Sequence, residues 1–338
     1  MNVRTRYRGA ALALACVAIA GCGAGDDRVG SSDTAVAGST APPGGEPRSG
    51  SSAPAVSEPA DDFPVTVTGD NGEVTIEARP ERIVILSPTL TESAFAVGAG
   101  DQVVAVDSAS NHPADVPTTD LSGFRPNVEA IGEFEPDLVL AARDRDDLVA
   151  TLEGVGITVL VLPSATDLDD VYAQIETIGT ATGHPDGGHD LAATMRTEID
   201  RQLERIEPAE PAPTYFYELS ADFHTLTSDT FVGSILAELG LDNIADQADP
   251  AAGAYPQLTA EYVLDADPAH LFVAHTDGSV PTLDELSARP GWTTLSAVSG
   301  DAVTWLDPDI ASRWGPRVVD LVTMLVDDLD TDARDVDD

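Results

Sequence analysis

Residues 127–141 read NVEAIGEFEPDLVLA, and residues 259–274 read TAEYVLDADPAHLFVA. When Glu129 is laid on Glu261, Pro136 falls on Pro268, both pairs offset by 132 residues. In each stretch a polar residue is followed two positions on by Glu, a short helical turn, an acidic residue with Pro, and an apolar run. Asn127 and Thr259 carry short acceptor side chains suited to a helix N-cap, so each Glu takes the second helical position. The runs LVLA and LFVA are apolar throughout, as expected of a strand buried on both faces of a parallel sheet. A carboxylate near a helix start gains roughly 0.3–1 kcal/mol from the helix dipole, which explains one such Glu. Two at matched positions form a docking device for a partner with two matched cationic sites.

Reading outward, Phe63–Ala78 (FPVTVTGDNGEVTIEA) alternates apolar and polar residues about DNG, a hairpin signal. Arg82–Ser87, Gln102–Asp107, PDLVLAA and Ile157–Pro163 read as buried strands, with helical spacing in TLTESAFAVGAG, NVEAIGEF and DDLVATLEGVG between them. Two long helices follow, Asp167–Gly183 and about Asp186–Glu207. In the second, Leu191, Met195, Ile199, Leu203 and Ile206 share one face. At 1.5 Å per residue it is ~30 Å long, enough to run along two lobes. Alternation then restarts in PTYFYEL, TFVGSILAELG, TAEYVLDA, HLFVAH, TLDELSAR and AVTWLD, and GPRVVDLVTMLVDDL closes the chain. The pattern predicts an α/β protein with two parallel-sheet, Rossmann-like lobes bridged by one long α-helix. The expected boundaries are an amino-terminal lobe over 62–166, a helical bridge over 167–208, a carboxy-terminal lobe over 209–330 and a frayed acidic tail over 331–338.

The chain has 338 residues, with 59 acidic side chains against 17 basic ones, all arginine, for a net charge of −42. That charge repels nucleic acid and anionic membrane surfaces. The two cysteines, Cys16 and Cys22, precede the folded body, which therefore has no disulfide. Residues 1–22 carry Arg4, Arg6 and Arg8, an apolar run of about 11 residues and the sequence IAGC. This is a signal peptide, ending either in a lipidated Cys22 or in a plain secretory cleavage. Residues 23–61 are rich in Gly, Ser, Ala, Pro and Thr and read as a flexible tether. The chain is then an extracytoplasmic monomer that meets the membrane only through its amino-terminal lipid. It lacks GxSxG, HExxH and a Gly-rich phosphate loop, and GVGITV precedes a strand rather than following one, so no enzymatic machinery is legible.

The segments RIVILSPTLTESAFAVGAGDQVVAV, NVEAIGEFEPDLVLA, TFVGSILAELGLDNIA, YPQLTAEYVLDADP and PRVVDLV resemble the helix-bridged (class III) substrate-binding proteins of bacterial ABC importers. This is the iron-siderophore and cobalamin type, over about residues 80–325. SPTLTESAFAVGAG and YPQLTAEYVL look most like the vitamin B12-binding branch. The resemblance implies that Glu129 and Glu261 dock on arginines of an ABC permease dimer, which works with its ATPase. It also implies a small-molecule ligand between the lobes, held by Pro88, Thr89, His112, Phe124, Phe223, Tyr255 and Asp309. That ligand is a corrinoid, with ferric siderophore or haem as alternatives, to which Arg125, Arg313, His112, His224 and His275 are relevant. No catalytic cofactor and no resident metal is implied. Trp292 and Trp305 read as core residues, and Trp314 as core or cleft.

Overall fold

The computed structural model describes residues 62–207, 209–248, 253–275 and 279–336, with side chains as far as residue 330. The expected signal peptide, Cys22 and tether lie outside these residues. Strands β1 (Val65–Gly69) and β2 (Gly72–Ile76) form the antiparallel hairpin, closing at Gly69 and Gly72. The first sheet comprises β3 (Ile83–Leu86), β4 (Val103–Val106), β5 (Leu138–Ala141) and β6 (Thr158–Val161), all parallel. Helices α1 (Pro88–Ala96), α2 (Val128–Gly132) and α3 (Leu148–Glu153) separate these strands.

Helices α4 (Leu168–Thr182) and α5 (Pro185–Leu203) form the bridge. Asp167 caps α4 by accepting from the Asp170 N–H. The two helices lie against each other with backbone contact: a Cβ on Gly188 would stand 2.9 Å from the Ile175 carbonyl oxygen. On its other side α5 meets the closing helix α11. The second sheet holds β7 (Thr214–Glu218), β8 (Asp242–Asn243), β9 (His270–Val273) and β10 (Val303–Trp305), again all parallel. Around it lie α6 (Phe231–Glu238), α7 (Ala260–Ala266), α8 (Leu283–Ser287), α9 (Ser296–Ser299), α10 (Pro308–Ser312) and α11 (Val318–Val336).

The spatial orders are β4-β3-β5-β6 and β8-β7-β9-β10. Numbered within each lobe, both are 2-1-3-4, so the repeat seen at Glu129 and Glu261 is a repeat of topology. In both lobes the helix carrying that Glu leads directly into strand 3. Strand residues alternate between two apolar layers, as a sheet covered on both faces requires. Leu138 and Leu140 join one cluster while Val139 and Ala141 join another. Tyr215 and Tyr217 divide from Phe216 in the same way. The largest cluster runs from Ile83, Leu138 and Leu160 through Val171, Ile175, Met195 and Ile199 to Tyr215, Phe231, Leu321 and Val326.

Two expectations need correction. The tail does not fray at 331, because α11 continues to Val336. Trp305 is not core: at the end of β10 it is 39% exposed, with its indole N–H donating to the Pro281 carbonyl at 2.7 Å. Trp292 is buried, and Trp314 stacks on Phe231 at 4.6 Å. Among the described residues no helix is long and apolar enough to cross a membrane.

Candidate ligand-binding cleft

In an open parallel sheet, ligands bind beyond the carboxyl ends of the strands, where the strand order reverses. With order 2-1-3-4 that switch point falls between β3 and β5 in the first lobe, and between β7 and β9 in the second. Pro88 and Thr89 follow β3 at once as the first residues of α1, both half-buried. Gly123 presses against the same edge, where a Cβ would lie only 2.2 Å from the Leu86 carbonyl oxygen. That approach admits glycine alone and delivers the next residue, Phe124, to the strand end with its ring 76% exposed. Leu86 pairs in register with Ala141, so the loop after β5, carrying Arg143 and Arg145, leaves from the same place. The Arg145 guanidinium lies 5.8 Å from the Phe124 ring centre.

Beyond β4, Asp107 accepts from the backbone N–H and hydroxyl of Ser110 at 3.1 and 2.6 Å. Burial raises its carboxyl above the usual range, and the Ser110 hydrogen bonds oppose that shift. This fixes the turn leading to Asn111 and to His112, whose exposed imidazole has no partner among the described residues.

In the second lobe Phe223 follows β7 with φ +65°, a strained value for a side chain of its size. Its ring is half-buried, 6.0 Å from Trp292 and 5.7 Å from the Arg289 guanidinium. Arg289 makes a two-pronged bond to the fully buried Glu218 carboxylate, at 2.6 and 2.8 Å. The buried His275 lies against the same carboxylate at 2.7 Å, with its other ring nitrogen 3.0 Å from the Ser279 carbonyl oxygen. His275 is therefore a structural residue with both nitrogens engaged, and the expectation that it could ligate iron, haem or cobalt is corrected. His224 is exposed and bonded to Asp222 at 3.0 Å. Tyr255 is 52% exposed, and its phenol is shifted upward by partial burial.

The lobes touch through an ionic network. Glu92 on α1, 3% exposed, takes Arg317 in two-pronged fashion at 2.8 and 2.6 Å, and Arg313 at 3.3 Å. Arg313 also donates to Asn111 at 2.5 Å and to Asp309 at 2.6 Å, while Asn111 donates to Asp309 at 2.9 Å. Asp309 and Arg313 thus join the lobes. Arg313 is spent on four acceptors, the Ala109 carbonyl at 3.2 Å being the fourth, which corrects its assignment to an anionic ligand. Sequence reasoning did not single out Glu92, Asn111, Glu218, Arg289 or Arg317. Their partners lie 57 to 225 positions away, so no local pattern marks them.

Asn127 and Thr259 cap α2 and α7 by accepting from the Ala130 and Tyr262 N–H groups. Glu129 and Glu261 are exposed at the second helical position, and their carboxylates have no hydrogen-bond or ion-pair partner among the described residues. A cavity of about 820 Å³ lies elsewhere, beside Pro213, Ala269, His270 and Ala302. Those residues stand at the amino ends of β7, β9 and β10, the edge away from the switch point, so its volume does not make it the ligand site. No three His, Cys, Asp or Glu residues among those described gather as a metal centre.

Two parallel sheets of one topology, bridged by a long helix and joined at their carboxyl edges, define a two-lobed solute-binding protein. The chain belongs to the periplasmic binding protein family, whose profile matches residues 83–310. It is 32% identical over 281 residues to an uncharacterized ABC transporter substrate-binding lipoprotein of Bacillus subtilis, covering 80% of this chain and 87% of that one. A cobalamin-binding protein of Halobacterium salinarum is 33% identical over 213 residues, 61% of this chain and 57% of the relative. Among solved structures, the vitamin B12-binding protein BtuF of Vibrio cholerae superposes with TM-score 0.60 at 27% identity, over 75% of this chain and 98% of that one. The haem-binding protein RhuT of Roseiflexus sp. RS-1 superposes with TM-score 0.64 at 27% identity, over 75% and 99%.

Proposed function

We propose that this chain captures a corrinoid outside the cell membrane, held there by lipid on Cys22, and delivers it to an ABC permease dimer. The observation that carries the ligand assignment is the exposed Phe124 ring at the switch point of the first lobe, with Tyr255 half exposed in the second. Exposed aromatic faces bury a large flat ligand at little entropic cost. The cobalamin-binding relatives support the same reading. Pro88 and Thr89 form the cleft floor, His112 and Phe223 its walls, and Asp309 its junction. Titrating the full chain with cyanocobalamin, followed by tryptophan fluorescence and calorimetry, should give one-to-one binding with Kd below about 1 µM. Absence of binding at about 100 µM overturns the assignment.

Haem or a ferric siderophore is the second reading, favoured by the unpartnered His112 and the exposed Tyr255, both able to ligate iron. Delivery is supported by the matched positions of Glu129 and Glu261, exposed and unpaired, in helices that run back from the carboxyl edges of both sheets. The double variant Glu129→Ala/Glu261→Ala should abolish uptake while leaving ligand affinity within about twofold. Uptake at the parent rate would sink the docking role.

A further inference from the structure

Eleven arginine side chains are described, and eight of them hydrogen-bond through the guanidinium. The remaining three are Arg125, Arg143 and Arg145, which have no acceptor among the described residues. In a chain with 59 carboxylates against 17 cations, an unpaired arginine is uncommon, and three in two adjoining loops are a concentration. They stand at the switch point of the first lobe. Arg125 follows Phe124, which Gly123 pins to the end of β3, and Arg143 and Arg145 follow β5, the strand paired with β3.

Asp120, Asp144, Asp146 and Asp147 share this rim, yet none comes within 4.0 Å of the three guanidiniums, and Asp144 is engaged with the Val149 N–H at 3.1 Å. Asp146 and Asp147 both hold positive φ, +55° and +56°, and the loop is closed by the Leu148 N–H on the Arg145 carbonyl and the Thr151 N–H on the Asp147 carbonyl, both at 3.0 Å. The Phe124 ring, beside Arg145, offers an apolar face next to the cations.

We propose that Arg125, Arg143 and Arg145, with the Phe124 ring, form an anion-binding subsite that takes a phosphate or carboxylate borne by a flat ligand. This rests on the reading of the carboxyl edges as the ligand cleft. Guanidinium bonds to such oxyanions are charge-assisted and can be two-pronged, so the subsite orients the ligand as well as attracting it. The three guanidiniums offset the neighbouring carboxylates and lessen the repulsion that an anionic ligand meets on this anionic protein.

The first test needs no knowledge of the ligand. The full chain is treated with phenylglyoxal, and modification at each arginine is read by mass spectrometry, with pyrophosphate or with sodium chloride at equal ionic strength. Pyrophosphate should slow modification of Arg125, Arg143 and Arg145 about fivefold or more and leave the exposed Arg201 unchanged. Equal slowing at Arg201, or none at the three, overturns the subsite.

The second test separates the sources of the anion. Cyanocobalamin carries a phosphodiester and dicyanocobinamide lacks it. Haemin carries two carboxylates and its dimethyl ester none. The parent should bind the anionic member of one pair about tenfold more tightly, and Arg143→Gln/Arg145→Gln should erase that preference. Protection by pyrophosphate without corrinoid binding refutes the corrinoid assignment and keeps the subsite. Corrinoid binding that the double variant leaves unchanged, without protection, refutes the subsite alone.

Discussion

Glu92 and Glu218 are carboxylates that water does not reach, and each is held by arginine through two prongs. A buried ion pair adds little net stability over an apolar pair, but removing one partner strands the other. Replacing Glu92 leaves Arg317 without its carboxylate partner at the lobe junction and leaves Arg313 with Asp309 as its remaining ionic partner. Glu92→Gln should therefore cost about 3–5 kcal/mol, read as a lower urea midpoint at unchanged slope. A cost below about 1 kcal/mol would mean that the network reorganises around water. Phe124 and Tyr255 entered as candidates through the family resemblance, and the structure finds both exposed. The free state of Arg143 and Arg145 was not legible in the sequence, since the alternation ARDRDD suggests self-neutralisation. Neighbours in an irregular loop point in different directions, and only the folded backbone decides which charges meet.

Among the elements, the strands and caps were legible because each depends on neighbours in sequence: the apolar runs of β3 to β6 and the acceptors at Asn127 and Thr259. The end of α11 was not, because the count of acidic residues there outweighed the helix periodicity that carries it to Val336. Nor was the closeness of α4 and α5, which turns on Gly179 and Gly188 meeting across the pair. Gly188→Val places branched carbons where the Ile175 carbonyl stands, 2.9 Å from the would-be Cβ. Overpacking of this kind costs about 1–3 kcal/mol, and a thermal melt should show it, together with weaker ligand binding as the bridge shifts. An unchanged melt would mean that the helices part without penalty.

At the scale of the molecule, the net charge of −42 sets carboxylates against one another over most of the surface. Self-repulsion of this kind is relieved by salt, since the screening length falls from about 30 Å at 0.01 M to about 3 Å at 1 M. The melting temperature should rise steadily over that range. A gain of 2 kcal/mol would appear as roughly 4–8 °C in a body of this size. A flat or falling curve would show that local pairs, which salt weakens, outweigh the repulsion.

The apolar cluster that passes unbroken from Ile83 through Met195 to Val326 has a calorimetric meaning. The described residues form one compact unit although they hold two separate parallel sheets. Heat has no seam along which to divide that unit, so neither lobe can melt first and leave the other standing. A scanning calorimeter should record one endotherm whose van't Hoff and measured enthalpies agree. Separating the lobes completely would expose that shared apolar cluster to water, so the proposed delivery should need no more than a slackening at the rim.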